Sequence, residues 1–266
     1  MTTPGSEIPL AMASLPELRS RLGGRRLALF LDYDGTLTPI IQRPELAFLS
    51  QEARDAVRRV AARVPTAIVS GRALADVAAL AGMDELIYAG NHGLEIRGPR
   101  GSAIAHEPGE AFVEDVARFA ARAAARVSLV EGARIEDKRL SLTIHHRMSP
   151  PEQVPRLEAA LDELIAGEPR LRKHRGKMVF EVRPALDWHK GKAVLWLLRE
   201  LGLDGTDAAA VYVGDDVTDE DAFRALDGRG VGVLVAPAPQ PTAAHYRLRV
   251  PAEVPAFLDE LSGLAG

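Results

Sequence analysis

Leu27–Leu31 is an unbroken apolar run that stops at Asp32-Tyr33-Asp34-Gly35-Thr36. A run this short, closed by an Asp-Gly turn signal, reads as a strand buried on both faces, as in a parallel sheet covered by helices. It also leaves two carboxylates, two residues apart, at the end of a buried strand. Like charges held close resist joint ionisation, so such a pair needs a cation, a shared proton or several hydrogen-bond donors. A divalent metal meets that need and creates a reactive site; an ordinary turn capped by Asp32 is the plainer alternative.

A second acidic cluster, Gly214-Asp215-Asp216-Val217-Thr218-Asp219-Glu220-Asp221, follows another apolar run, Ala208–Val213. Ligands of open parallel sheets bind at the carboxyl ends of strands, so Asp32, Asp34 and Asp215 are expected to converge on one hard cation, with Mg²⁺ the best fit to oxygen ligands. Asp216 and Asp219 are further candidate ligands, although Asp219 to Asp221 also suit a helix N-terminus. Ser70, just after the apolar run Thr66–Val69, offers a hydroxyl and backbone donors to phosphate. Lys190, opening a helix after Trp188-His189, offers a point charge for a phosphoryl oxygen, or only a solvated surface.

Charge excludes other classes of partner. The chain of 266 residues is 26% charged yet carries a formal net charge of only −4, so no global basic field favours nucleic acid or an anionic membrane. It has no cysteine, which removes disulfides, thiol catalysis and cysteine-held metals. No basic residue precedes the short Ile8–Leu15 patch, and no apolar stretch reaches the roughly 18 residues of a membrane span. A cytoplasmic protein is expected, with its first dozen residues as a loose tail.

Apolar spacing then orders the chain. Ser50 can cap a helix through Ala53, Val57, Val60, Ala61 and Val64, which leads to the strand Thr66–Val69. Helix Ala73–Leu80 and strand Leu86–Ala89 continue the parallel pattern. Near residue 102 the texture changes to a helix at Glu110–Arg126, strands at Val127–Val130 and Arg134–Arg147, a helix at Glu152–Ala166, and strands at Leu171–His174 and Val179–Arg183. Strands in adjacent pairs imply an antiparallel sheet covered by helices. Helix Lys192–Leu201, strand Ala208–Val213, helix Glu220–Leu226, strand Val231–Val235 and helix Val254–Leu264 restore the parallel pattern. The expected fold class is α/β: a Rossmann-like parallel-sheet core at 1–102 and 184–266, with an inserted α+β cap at 103–183. Hinges are expected at Gly98–Gly101 and Pro184–Asp187.

Asp32-x-Asp34-Gly35-Thr36, Ser70, Lys190 and the acidic motif at 214–221, in that order, resemble the haloacid dehalogenase-like phosphohydrolases. The resemblance implies that Asp32 is a nucleophile forming an aspartyl phosphate and that Asp34 is general acid and then base. It also implies that Ser70 and Lys190 orient and neutralise the phosphoryl group, and that Asp215 helps hold Mg²⁺. Receiver domains share some of these residues, but they are about half this size and have no inserted cap.

A finer set resembles the trehalose-6-phosphate phosphatase family: Asp32–Ile40, Ser70-Gly71-Arg72, Asn91-His92-Gly93-Leu94-Glu95, Gly176–Pro184 and Gly214–Asp221. That resemblance implies sugar contacts at Glu136, Lys138, Arg147, Lys177 and Glu181, with Arg183 continuing the same face. Arg72 is placed near the phosphate, and Asn91, His92 and Gly93 on a loop facing the cap. Trp188-His189 departs from the family pattern and is expected to alter helix entry rather than chemistry. Hydrolysis of trehalose 6-phosphate by a monomer is the expected function, with a sucrose-phosphate type of phosphatase as the alternative. His145 and His146, adjacent on one strand, point to opposite faces and are expected to pack rather than bind metal.

Overall fold

The structure is a computed structural model and describes residues 8–264. The described residues divide into two compact units, residues 8–106 with 188–264, and residues 107–187. In the first, an eight-stranded sheet runs in the order β12-β11-β10-β1-β2-β3-β4-β5. Its strands are β1 (Arg26–Leu31), β2 (Thr66–Val69), β3 (Ile87–Gly90), β4 (Glu95–Arg97), β5 (Ala105–His106), β10 (Ala208–Gly214), β11 (Gly230–Val235) and β12 (Tyr246–Leu248). From β12 to β3 all neighbours are parallel, and β4 and β5 add an antiparallel edge.

Both faces of this sheet are covered, which is why its central strands read as continuous apolar runs. Leu27, Leu29 and Leu31 pack with α1 (Leu15–Leu22), α2 (Gln51–Ala61), α3 (Leu74–Ala81) and α8 (Val254–Ser262). Ala28, Phe30 and Tyr212 pack on the other face with α6 (Lys190–Glu200) and α7 (Glu220–Ala225). The chain leaves β1 toward β2 on one side and returns to β10 on the other. A parallel sheet opens a crevice at that reversal, beyond the strands' carboxyl ends.

The second unit is a four-stranded antiparallel sheet in the order β6-β7-β9-β8, formed by β6 (Arg134–Asp137), β7 (Leu142–His145), β8 (Leu171–Gly176) and β9 (Val179–Pro184). One face, with Leu142, Ile144, Phe180 and Val182, packs on α4 (Val113–Val127) and α5 (Val154–Ile165). The opposite face carries Glu136, Thr143, Glu181 and His174 in one cross-strand row.

Several sequence expectations are corrected. Val127–Val130 is not a strand: it ends α4 and turns, with Val127 and Val130 buried three apart and Leu129 between them 64% exposed. Arg134–Arg147 is not one strand but a hairpin. Arg139 takes a positive φ of 67° and its N–H is held by Asp137 Oδ1 at 2.8 Å, which reverses the chain. Residues 98–101 form the turn between β4 and β5 within the first unit, with Gly98 N–H donating to Ile104 O at 2.7 Å. The expected loose tail lies outside the described residues only up to residue 7; beyond it Ala11 is fully buried and Pro9 O accepts from Arg247 N. Among the described residues no helix is long and apolar enough to cross a membrane.

Candidate active site

Asp32 continues β1 past the sheet, its N–H donating to Val213 O at 2.8 Å, so it stands beside the end of β10 and is only 5% exposed. Its Oδ1 accepts from Lys190 Nζ at 2.7 Å. Lys190, the first residue of α6, is almost fully buried and gives a second hydrogen bond to Asp219 Oδ1, also at 2.7 Å. α6 comes this close because residue 191 is glycine: a Cβ there would lie 2.3 Å from Asp221 O at the start of α7.

Asp219 is completely buried and fully used. Oδ1 accepts from Lys190 and from Tyr212 OH at 2.6 Å, while Oδ2 accepts from the N–H groups of Asp215 and Asp216 at 3.1 and 3.0 Å. With about two acceptor sites per oxygen it has none left for a direct metal bond. It is the post that fixes both Lys190 and the acidic loop. Asp216, another expected ligand, is exposed and its Oδ1 accepts from Val217 N–H at 2.8 Å.

Asp32, Asp215 and Asp219 each bring a carboxylate oxygen within 4.8 Å of the others'. Burial pushes Asp32 well above the usual carboxylate range, with Lys190 pulling against it and Asp219 and Asp215 adding to it. Burial, followed by Asp219, lifts Asp215 to about 7. Lys190 is held charged by Asp219 and Asp32 even though its burial opposes that. One lysine is therefore too little positive charge for the cluster, and a hard divalent cation fits the carboxylate oxygens that Asp32 and Asp215 offer. Gly35, at φ 85°, makes room: a Cβ there would fall 2.1 Å from Asp215 Oδ2.

Ser70 and the 91–93 loop meet beside this cluster's strands. Ser70 is buried, its Oγ accepts from Arg72 N–H at 3.2 Å and its O accepts from His92 N–H at 2.8 Å. Asn91 N–H donates to Arg72 O at 2.7 Å. Asn91 and His92 both take positive φ, 50° and 58°, a costly conformation for residues with a Cβ that concentrates at functional sites. The missing Cβ of Gly71 allows the His92 ring to sit against it, since a Cβ would lie 2.6 Å from His92 Cε1. Gly93 O accepts from Trp188 Nε1 at 2.7 Å, so the unusual Trp188 ties the entry of α6 to this loop. Arg72 makes a two-pronged pair with Asp34.

In the second unit, Glu136 and Glu181 share the polar sheet face, as expected. Glu136 Oε2 pairs with His145 Nε2 at 2.7 Å, and Oε1 lies 3.9 Å from Lys138 Nζ. Glu181 pairs with Arg183. Arg147 and Lys177 are not on strands; each is exposed in a turn, and the two turns abut where His146 N–H donates to Met178 O at 3.2 Å. His146 points away from His145 and packs its ring 4.7 Å from that of Phe180. The sequence reading missed Tyr212, whose signal was a hydroxyl-bearing ring inside the aliphatic run Ala208–Gly214. It also missed Thr143, buried between the two glutamates in the cross-strand row.

A cavity of about 250 Å³ among Arg21, Arg25, Asp227, Gly228, Gly230 and His245 lies at the amino ends of the strands. The carboxylates gather at the opposite edge, where the topology puts ligand chemistry.

The sequence model of the trehalose-phosphatase family matches residues 30–252. The chain is 39% identical to the probable trehalose-phosphate phosphatase 3 of Oryza sativa subsp. japonica over 95% of its own length and 74% of the relative's. It is 38% identical to trehalose 6-phosphate phosphatase RA3 of Zea mays, over 97% of this chain and 76% of that one. Among solved structures, the C-terminal domain of the Candida albicans trehalose-6-phosphate phosphatase superposes with a TM-score of 0.79 at 25% identity, covering 98% of this chain and 99% of that one. An Aspergillus fumigatus trehalose-6-phosphate phosphatase does so with 0.64 at 31% identity, covering 97% and 99%.

Proposed function

The chain belongs to the trehalose-phosphatase family, and from that membership we propose that it hydrolyses trehalose 6-phosphate to trehalose and phosphate through an aspartyl phosphate on Asp32. The observation that carries the residue assignments is the convergence of Asp32, Lys190, Asp215 and Asp219 at the sheet's point of reversal. Phosphoryl transfer needs an in-line nucleophile, positive charge around the equatorial oxygens and a proton for the leaving alcohol. Asp32 is the nucleophile, Lys190 and Ser70 hold the phosphoryl group, and Asp34 handles the proton as acid and then as base.

Asp32 and Asp215 are the side chains that would hold Mg²⁺, the Asp34 side chain being paired with Arg72; Asp219 fixes their loop from behind. When bound, the cation supplies positive charge that one lysine cannot give to both the carboxylates and the phosphoryl oxygens. The first unit is the catalytic core and the second the cap that selects the sugar, through Glu136, Lys138, Arg147, Lys177, Glu181 and Arg183. Asn91, His92 and Gly93 complete the sugar contacts from the core. With this reading go a monomeric state, a cytoplasmic location and no macromolecular partner.

Phosphate release across a sugar-phosphate panel, with magnesium and with chelator, is the direct test. Trehalose 6-phosphate is expected to be the best substrate by at least about tenfold in kcat/KM, a difference of roughly 1.4 kcal/mol. Equal turnover of glucose 6-phosphate or sucrose 6-phosphate overturns the substrate assignment. Within the cap, Glu181→Ala is expected to raise KM for trehalose 6-phosphate about tenfold or more, while 4-nitrophenyl phosphate hydrolysis stays within about twofold. Equal loss on both substrates counts against sugar recognition by Glu181.

A further inference from the structure

Arg72 reaches Asp34 as a fork, Nε donating to Oδ2 at 2.6 Å and Nη2 to Oδ1 at 2.7 Å. The fork is itself anchored: Nη1 donates to Asp76 on α3 at 2.9 Å and Nη2 to Pro44 O at 2.9 Å, with the guanidinium 5.7 Å from the Tyr33 ring centre. Four of the five guanidinium N–H groups are thus committed within the protein, and the side chain is only 10% exposed against 37% for Asp34. A donor held this firmly has little left to offer a phosphoryl oxygen. It has much to offer a carboxylate whose direction matters, because a planar fork fixes both the place and the plane of its partner.

We propose that Arg72 is the positioning residue of Asp34, acting on both proton transfers through that side chain and not on the phosphate; this rests on the reading of Asp34 as acid and base. In the first half-reaction an Asp32 oxygen bonds to phosphorus, the phosphorus–sugar oxygen bond breaks, and the electron pair left on the sugar oxygen takes the proton from Asp34. In the second, a water oxygen bonds to phosphorus while the phosphorus–Asp32 bond breaks. The electron pair returns to the Asp32 carboxylate, and a water proton passes to Asp34, which is then ready for the next cycle. The fork uses one acceptor site on each Asp34 oxygen and leaves a second on each for that proton.

The test separates proton handling from phosphate binding by the leaving group. 4-Nitrophenolate departs without a proton, so with 4-nitrophenyl phosphate only the second half-reaction needs Asp34. Arg72→Met is expected to release a burst approaching one nitrophenol per active site, then turn over roughly 10- to 100-fold more slowly than the parent, with phosphoenzyme visible by intact mass. With trehalose 6-phosphate it is expected to lose kcat at least as strongly, with no burst and KM within about threefold. Arg72→Lys keeps the charge without the fork and is expected to behave like Arg72→Met; it carries the same readout should the methionine variant not fold. A parallel rise in KM for both substrates with no phosphoenzyme, or full rescue by lysine, overturns the proposal. Asp34→Asn is the reference. If it traps no phosphoenzyme from 4-nitrophenyl phosphate, the acid–base reading fails and this inference with it. If it does and Arg72→Met does not, only the inference fails.

Discussion

Lys190→Met is expected to destabilise the first unit by about 3–5 kcal/mol in chelator and to lower kcat by at least about 10²-fold. The ammonium group is hydrogen-bonded to both Asp32 and Asp219, at 2.7 Å from each, and its side chain is 3% exposed. Methionine keeps most of the volume, so the loss measures charge rather than packing. Asp219 cannot compensate by turning to solvent, because its other oxygen is tied to the Asp215 and Asp216 amides. The melting temperature of the chelated protein is expected to drop by the order of 10 °C. Tyr212→Phe is the comparator: it removes one hydroxyl from the same Asp219 oxygen and should cost only about 1 kcal/mol. Equal losses from the two variants would mean that the site is held by packing and not by the lysine.

Asp219 also illustrates what the sequence could and could not say. Local spacing was enough for the central sheet: Leu27–Leu31, Thr66–Val69 and Ala208–Val213 are apolar because helices cover both their faces, and all three are strands in parallel register. Ser50 caps α2 as its side chain allows, accepting from Ala53 N–H. The acidic motifs were legible too, because strand ends next to glycine leave few other uses for clustered aspartates.

Long-range partners were not legible. That Asp219 is consumed by four donors depends on Tyr212, Lys190 and two backbone amides meeting at one place. That Arg72 pairs with Asp34 depends on where α3 and Pro44 lie. In the second unit, periodicity predicted a single strand through Arg134–Arg147, since an apolar–polar alternation does not reveal a chain reversal. The reversal rests on Asp137 bonding its neighbour's amide and on Arg139 accepting a left-handed conformation, neither of which carries a glycine or proline signal. The outer strands β4 and β5 at one side of the sheet and β12 at the other, two or three residues long, are too short for any periodicity to register.

The buried acidic cluster makes the chelated protein less stable as pH rises, which reverses the behaviour of most paired carboxylates. Burial holds Asp215 at about 7 against an ordinary 3.8. Between those values the folded state binds a proton that the unfolded state has lost. Stability contributed by this group is therefore fully present below about pH 4, falls through the interval, and is gone above about 7. At about 1.4 kcal/mol per unit the full span is at most about 4 kcal/mol. Asp32 shifts in the same direction for the same first cause. His146, His174 and His245 pull the other way below about 6.5, because burial disfavours their charged forms. The Asp215 contribution is accordingly read as the difference between the parent and Asp215→Asn, melted in chelator at intervals from pH 4 to 8. That difference should move in favour of Asp215→Asn as pH rises. In excess magnesium the sign reverses for the parent, since the ion binds the ionised cluster and competes with protons, so added stability grows with pH. Parent and variant curves that stay parallel in chelator would show that the cluster does not store this proton, and a magnesium effect that does not grow with pH would show that it does not bind the ion.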